Sequence, residues 1–162
     1  MITKIKQKNK TKKADTQKIT GFTCGSFDLT HAGHYLMFKE CKKHCNYLIV
    51  GLQTDPTIDR PEKNKPVQSI VERKIQLESC KYVDQIILYK TEKDLLNILK
   101  NTKIDTRFIG KDWKGKNFTG KELSIKIFWN NRDHGYSSRV LRTKVFQAEL
   151  RKLPSKKTSK KD

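Results

Sequence analysis

Residues 18–53, KITGFTCGSFDLTHAGHYLMFKECKKHCNYLIVGLQ, decide the fold, because the hydrophobic pattern changes character three times within them. The run 18–23 is short and rich in residues that favour strands. A glycine-containing loop follows, and from about residue 33 to 45 apolar side chains recur at helical spacing. Residues 47–53, YLIVGLQ, then form a continuous apolar run, the pattern of a strand buried on both faces. Strand, loop, helix and doubly buried strand thus succeed one another.

Working outward, a polar loop holds Pro56, Pro61 and Pro66. The stretch 69–80 reads as a helix, with Ser69 as N-cap, Glu72 at the reciprocal capping-box position, and Ile70, Ile75 and Leu77 among its apolar residues. Residues 85–88 are a third strand, 93–100 a short helix, 106–109 a fourth strand, 125–129 a fifth, and 137–150 a final helix. The alternation predicts an α/β fold, an open parallel sheet of about five strands with helices on both faces. No internal repeat competes with it.

The length of 162 residues suits one domain, expected over 18–152. Lys and Arg number 36 against 17 Asp and Glu, a net charge of +19, and residues 1–18 with 151–162 supply 11 of those 19 charges. Basic flexible tails are therefore expected at 1–17 and 153–162. Mean hydropathy is −0.78, which approaches the disordered range only because of those tails. No apolar run reaches the roughly 18 residues of a bilayer span, and no signal-peptide segment follows the Lys-rich start, so a soluble cytoplasmic protein is expected. Cys24, Cys41, Cys45 and Cys80 lack CxxC spacing and are read as reduced thiols, with Cys41 and Cys45 half-buried on a helix. A zinc site at Cys41, His44 and Cys45 would want four ligands, and no second cluster supplies them.

Four unusual segments fall at the ends of four strands, where open parallel sheets bind ligands. GSFDLTHAGH follows the first strand, a Lys-rich loop the second, GKDW the fourth and RDHGYSS the fifth. His31 and His34 open a helix, where free N–H groups and two imidazoles can bind one anion, phosphate above all. Gly33 lets backbone approach closely, and Asp28 can orient a side chain or cap the loop. Taken alone, the pair reads equally as a polar helix start. Lys63 and Lys65 lie on a loop able to close over polyphosphate, with Arg73 on the helix behind, though such lysines also read as solvated surface. Arg132, Gly135, Ser137 and Ser138 offer a guanidinium, a glycine loop and two hydroxyls at a helix start; the same segment reads as an ordinary Ser-capped helix. Asp112 and Trp113 can read a base by hydrogen bonding and stacking, or Trp113 can pack against the sheet edge.

In order and spacing, GSFDLTHAGH, VERK, KYVDQII, GKDW and RDHGYSS resemble the cytidylyltransferase-type nucleotidyltransferases, the glycerol-3-phosphate cytidylyltransferases above all. The likeness spans residues 19–150. It implies a Rossmann-like domain, a homodimer, and transfer of a cytidylyl group from CTP to a small phosphomonoester, glycerol 3-phosphate first, with Mg²⁺ held mainly through the nucleotide phosphates. Carried over by position, His31, His34, Lys63, Lys65 and Arg132 become the catalytic set. The same likeness puts Cys24, Gly25, Ser26, Phe27, Asp28 and Gly33 of the first loop at the nucleotide. Arg73, Asp112 and Trp113 join them, as do Gly135, Tyr136, Ser137 and Ser138. His134, Tyr136 and Ser138 replace the Glu, Ile and Thr common in that subgroup; Ser138 keeps the hydroxyl, while His134 and Tyr136 keep ATP open as the nucleotide. KPVQSIVER is also similar to sugar-phosphate nucleotidyltransferases, including the adenylyl-transferring domain of ADP-heptose synthesis.

The implied chemistry suits these residues. A phosphomonoester oxygen is already anionic, so the difficulty lies in holding two polyanions in line rather than in removing a proton. The rival class is a nucleic-acid-binding module using the Lys-rich tails for weak polyanion contact. The core carries no RNP-type aromatic run, zinc finger or long basic helix to support it.

Overall fold

A computed structural model of the chain describes residues 17–153, so the expected tails lie outside the described residues apart from Gln17 and Leu153. Every element read from the sequence is present. The strands are β1 (Thr20–Gly25), β2 (Tyr47–Gln53), β3 (Gln85–Tyr89), β4 (Thr106–Gly110) and β5 (Lys126–Asn130). The helices are α1 (Ala32–Cys41), α2 (Ile70–Glu78), α3 (Glu92–Asn101) and α4 (Ser138–Leu150).

All strand pairs are parallel, in the order β3-β2-β1-β4-β5. The order reverses beside β1, and the hydrogen-bond register shows what that does. β1 pairs with β2 along its whole length, from Thr20↔Tyr47 to Gly25↔Leu52. With β4 it pairs only at Gly21↔Thr106 and Phe22↔Arg107. Beyond Phe22 the two strands part, and a crevice opens at their carboxyl ends, where ligands of such sheets bind.

β2 is buried on both faces as its sequence predicts. Leu48, Val50 and Leu52 pack with Phe38 of α1 and Leu77 of α2, while Ile49 faces Phe22, Tyr89, and Leu95 and Leu99 of α3. Capping boxes fix three helix starts, His31 with His34 on α1, Ser69 with Glu72 on α2 and Thr91 with Asp94 on α3.

Three expectations are corrected. β1 begins two residues later than read, since Lys18 and Ile19 are exposed and the strand instead runs on through Cys24 and Gly25 to keep pairing with β2. α1 stops at Cys41, four residues early, where the Lys42 N–H closes onto the carbonyls of Phe38 and Glu40. The turn that follows holds the His44 ring 4.0 Å from Phe128 and drops Cys45 into the core, so burial continues past the helix and imitates it. Cys41 and Cys45 are accordingly both buried rather than half-buried on one helix, with the Cys45 thiol donating to the Cys41 carbonyl at 3.3 Å. All four cysteines are free thiols, and burial pushes Cys41 well up from its ordinary pKa. α4 buries no side chain and is pinned at the crevice instead of sheathing the sheet. None of the helices among the described residues is long and apolar enough to cross a membrane.

Candidate active site

The first loop is the most constrained part of the crevice. His31 is the N-cap of α1, and its Nδ1 accepts the Gly33 N–H at 3.1 Å; the His34 Nδ1 accepts the His31 N–H at 3.4 Å. An imidazole whose Nδ1 accepts must carry its proton on Nε2, so each ring keeps an Nε2–H donor for a ligand. The rings stack with centroids 4.0 Å apart. Burial holds His34 down to a pKa of about 3, helped by the neighbouring His31, which would repel a second proton, and by the Arg132 charge. Burial, His134 and Arg132 lower His31 as well. Both histidines are therefore neutral donors rather than cations.

Neighbouring backbone is tuned to this arrangement. A Cβ on Gly33 would stand 2.8 Å from His134 Cε1 and 2.9 Å from His31 Cε1, so only glycine lets the rings close in. Phe27 and Leu29 sit at φ of 48° and 50°, a left-handed conformation that costs a non-glycine residue about 1–3 kcal/mol. The buried Phe27 ring contributes to holding the loop, edge-on to His34 at 5.3 Å and 5.4 Å from Phe38.

A cavity of about 520 Å³ occupies the crevice. Of the expected residues it gathers Cys24 and Gly25 from the end of β1, Ser26 and Asp28 from the loop after it, Lys63, Trp113, Arg132 and Ser138. Arg132 and Asp112 form an ion pair at 3.4 Å across Gly110, whose absent side chain would lie 2.7 Å from the Arg132 Nε. Asp28 is a buried hub. It accepts the Gln68 N–H at 2.9 Å and the Arg142 guanidinium, and these bonds outweigh burial and hold its pKa below the usual carboxylate value. Ser138 donates to the Asp28 carbonyl at 3.0 Å, which fastens α4 to the first loop.

Other expected residues stand apart from the cavity lining. His31 and His34 do not line it, though Arg132, which does, lies near enough for its charge to act on both rings. Lys65 lies outside it, with its carbonyl taking Arg142 at 3.2 Å. Gly135 has open space around it, and Tyr136 is 55 % exposed with its ring 5.4 Å from that of His134. The Ser137 hydroxyl is the N-cap of α4, accepting the Val140 N–H. Arg73 holds a different post from the one expected. It is 2 % exposed and donates to the carbonyls of Gln68, Ser26, Gln53 and Thr54, at 2.6 to 3.1 Å, so its guanidinium is spent on backbone.

Sequence reasoning passed over several residues of the lining: Arg60, Glu92, Arg107, Arg139 and Arg142. Arg139 and Arg142 follow Ser138 on α4, and the helical offset of four from Ser138 to Arg142 was the available signal. With Lys63 and Arg132, these arginines outnumber Asp28 and Glu92 and make the lining predominantly cationic.

Comparison with known proteins agrees with this geometry. Residues 22–156 match the family model described as cytidylyltransferase-like. The glycerol-3-phosphate cytidylyltransferase of Bacillus spizizenii is 38% identical over 111 residues, covering 68% of this chain and 85% of that one. The bifunctional protein HldE of a Caulobacter species is 35% identical over 65% of this chain but only 22% of its own length. Among solved structures, the lipopolysaccharide core biosynthesis protein of Thermoplasma volcanium superposes with a TM-score of 0.61 at 27% identity, covering 72% of this chain and 99% of that one. With the family model spanning most of the chain and the open parallel sheet turning at β1, the chain belongs to the cytidylyltransferase-like family of nucleotidyltransferases.

Proposed function

We propose that the protein transfers a cytidylyl group from CTP to a small phosphomonoester, glycerol 3-phosphate before others. An oxygen of the acceptor phosphate attacks the α-phosphorus, the α–β phosphoanhydride bond breaks, and pyrophosphate leaves with the electron pair. The observation that carries this reading is the pair of neutral imidazoles whose Nδ1 atoms are tied to backbone N–H groups, leaving two fixed Nε2–H donors beside Arg132. Fixed donors aimed at developing charge need no reorganisation during reaction. The similarity to a relative named glycerol-3-phosphate cytidylyltransferase supports the substrate choice.

Mg²⁺ bound to the triphosphate would neutralise charge on its oxygens. Among the described residues no three His, Cys, Asp or Glu side chains converge, and the buried carboxylate of Asp28 is occupied by Arg142, so the donor set suits an ion that arrives with the nucleotide. A second reading is transfer to a sugar phosphate, with ATP or CTP as donor. It is favoured by the relatives named HldE and by His134 and Tyr136, which depart from the cytidylyl subgroup.

The test is pyrophosphate release by the purified protein with Mg²⁺, each of four nucleoside triphosphates, and a panel of phosphomonoesters. Release with CTP and glycerol 3-phosphate is expected. Release only with ATP and a sugar phosphate would replace the first reading by the second.

A further inference from the structure

Two separate segments bring cations to the crevice, Arg139 and Arg142 on α4 and Lys63 on the loop before α2, and both are sparsely attached to the rest of the molecule. Of α4 only Ser138, Leu141 and Arg142 are half-buried, and every residue from Thr143 to Leu150 is exposed. Among the described residues its side chains reach other elements through two residues alone. Ser138 donates to the Asp28 carbonyl at 3.0 Å, and Arg142 Nη2 donates both to the Asp28 carboxylate and, at 3.2 Å, to the Lys65 carbonyl.

The lysine loop is held no better. Beyond the turn that closes the Lys63 N–H onto the Arg60 carbonyl, described residues 61–66 make one hydrogen bond to another element, and it is the same contact, Lys65 to Arg142. The loop is fixed again at Gln68, whose N–H donates to Asp28 Oδ1 at 2.9 Å and whose side chain accepts the Leu29 N–H at 2.8 Å.

One guanidinium nitrogen thus joins the first loop, the lysine loop and α4. An ion pair at the surface would count for little, but the Asp28 carboxylate is buried, and removing its cation leaves a charge uncompensated there. With Nη2 engaged by protein oxygens on both sides, Arg142 holds apart and in register the two segments that carry Lys63 and Arg139.

Resting on the proposed nucleotidyl transfer, we propose that Arg142 is a positioning residue: by tying α4 and the lysine loop to Asp28, it sets how Lys63, Lys65 and Arg139 meet the triphosphate. Its own contact with phosphate is the rival account, and the two make different predictions.

The test uses the full chain as wild type, Arg142→Gln and Arg142→Lys, with Arg142→Ala as a second truncation if the first fails to melt cooperatively. Hydrogen exchange without ligand reads the tether where no substrate contact contributes. In Arg142→Gln the amides of residues 141–150 should exchange at least about tenfold faster while those of β2 keep their protection. The KM for CTP should rise about tenfold with kcat within about threefold, and Arg142→Lys, which still offers Asp28 a cation, should recover most of both changes. In a Lys63→Ala, Lys65→Ala background, Arg142→Gln should raise that KM by less than about threefold, because most of what it positions is gone. A full tenfold rise there would make Arg142 a phosphate contact in its own right and overturn the positioning role, as would unchanged exchange in α4. If no acceptor releases pyrophosphate, the transfer reading itself fails, and calorimetric binding of CTP replaces the KM: weaker binding in Arg142→Gln supports the tether, and absent or unchanged binding removes it.

Discussion

The loop from β1 to α1 and the loop from β5 to α4 are the same device, a strand-to-helix connection at one edge of the sheet, yet they are held very differently. In the first, both imidazoles are tied to backbone, Gly33 is crowded on two sides and Phe27 accepts a left-handed backbone. In the second, Arg132 is about half exposed, Gly135 has open space where a side chain would stand and α4 buries none of its side chains. The difference separates two tasks. Groups that must meet developing charge are fixed in advance, while groups that must let a nucleotide in and out are left with few contacts to break.

That contrast can be broken at several points. The largest effect is expected at the histidines: His31→Ala or His34→Ala should lower kcat by about two to three powers of ten, as loss of one fixed donor does. Steady-state pyrophosphate release gives the answer, and wild-type turnover in either variant would end the assignment. Next comes Gly33→Ala, whose new methyl must displace His31 or His134; about 1–3 kcal/mol of stability should be lost in chemical denaturation.

Acid sensitivity follows. His34 has a folded pKa of about 3 against an ordinary 6.5, so the unfolded chain binds the extra proton first as pH falls. Stability is fully present above pH 6.5 and declines through the window down to about 3, by about 1–2 kcal/mol between pH 7 and 5. Denaturation at those two pH values should show a flatter limb in His34→Gln; an equally steep one would mean that the burden lies elsewhere. The smallest effect belongs to Gly135→Ala, which meets open space at an ordinary φ and should change stability by less than about 0.5 kcal/mol. Any loss of CTP affinity in that variant would then report a contact made only with ligand.

Element order was legible because the continuous run of β2 and the capping pair Ser69–Glu72 leave little freedom. The end of α1 was not, since His44 and Cys45 stay engaged with the core through a turn and keep the pattern apolar. The histidine pair and Arg132 could be found as motifs. Arg107 could not, because in TRFIG it looks like a charge at a sheet edge, whereas it stands in the last pair before β1 and β4 part and lines the cavity that opens there. Arg73 shows the reverse failure. Its position in a motif suggested a ligand contact, whereas four backbone carbonyls surround it, something no single residue on a helix discloses.

Arg73 also affects how any mutational survey of this enzyme would read. Its planar fork joins the end of β2, the first loop and the start of α2, and a lysine, with one nitrogen in place of three, cannot span the same four oxygens. Substitution there would loosen the walls for donor and acceptor together, so activity would vanish as completely as with a missing histidine. A screen scored on turnover alone would rank the two side by side; only a measurement of folding would tell the keystone from the chemistry it supports.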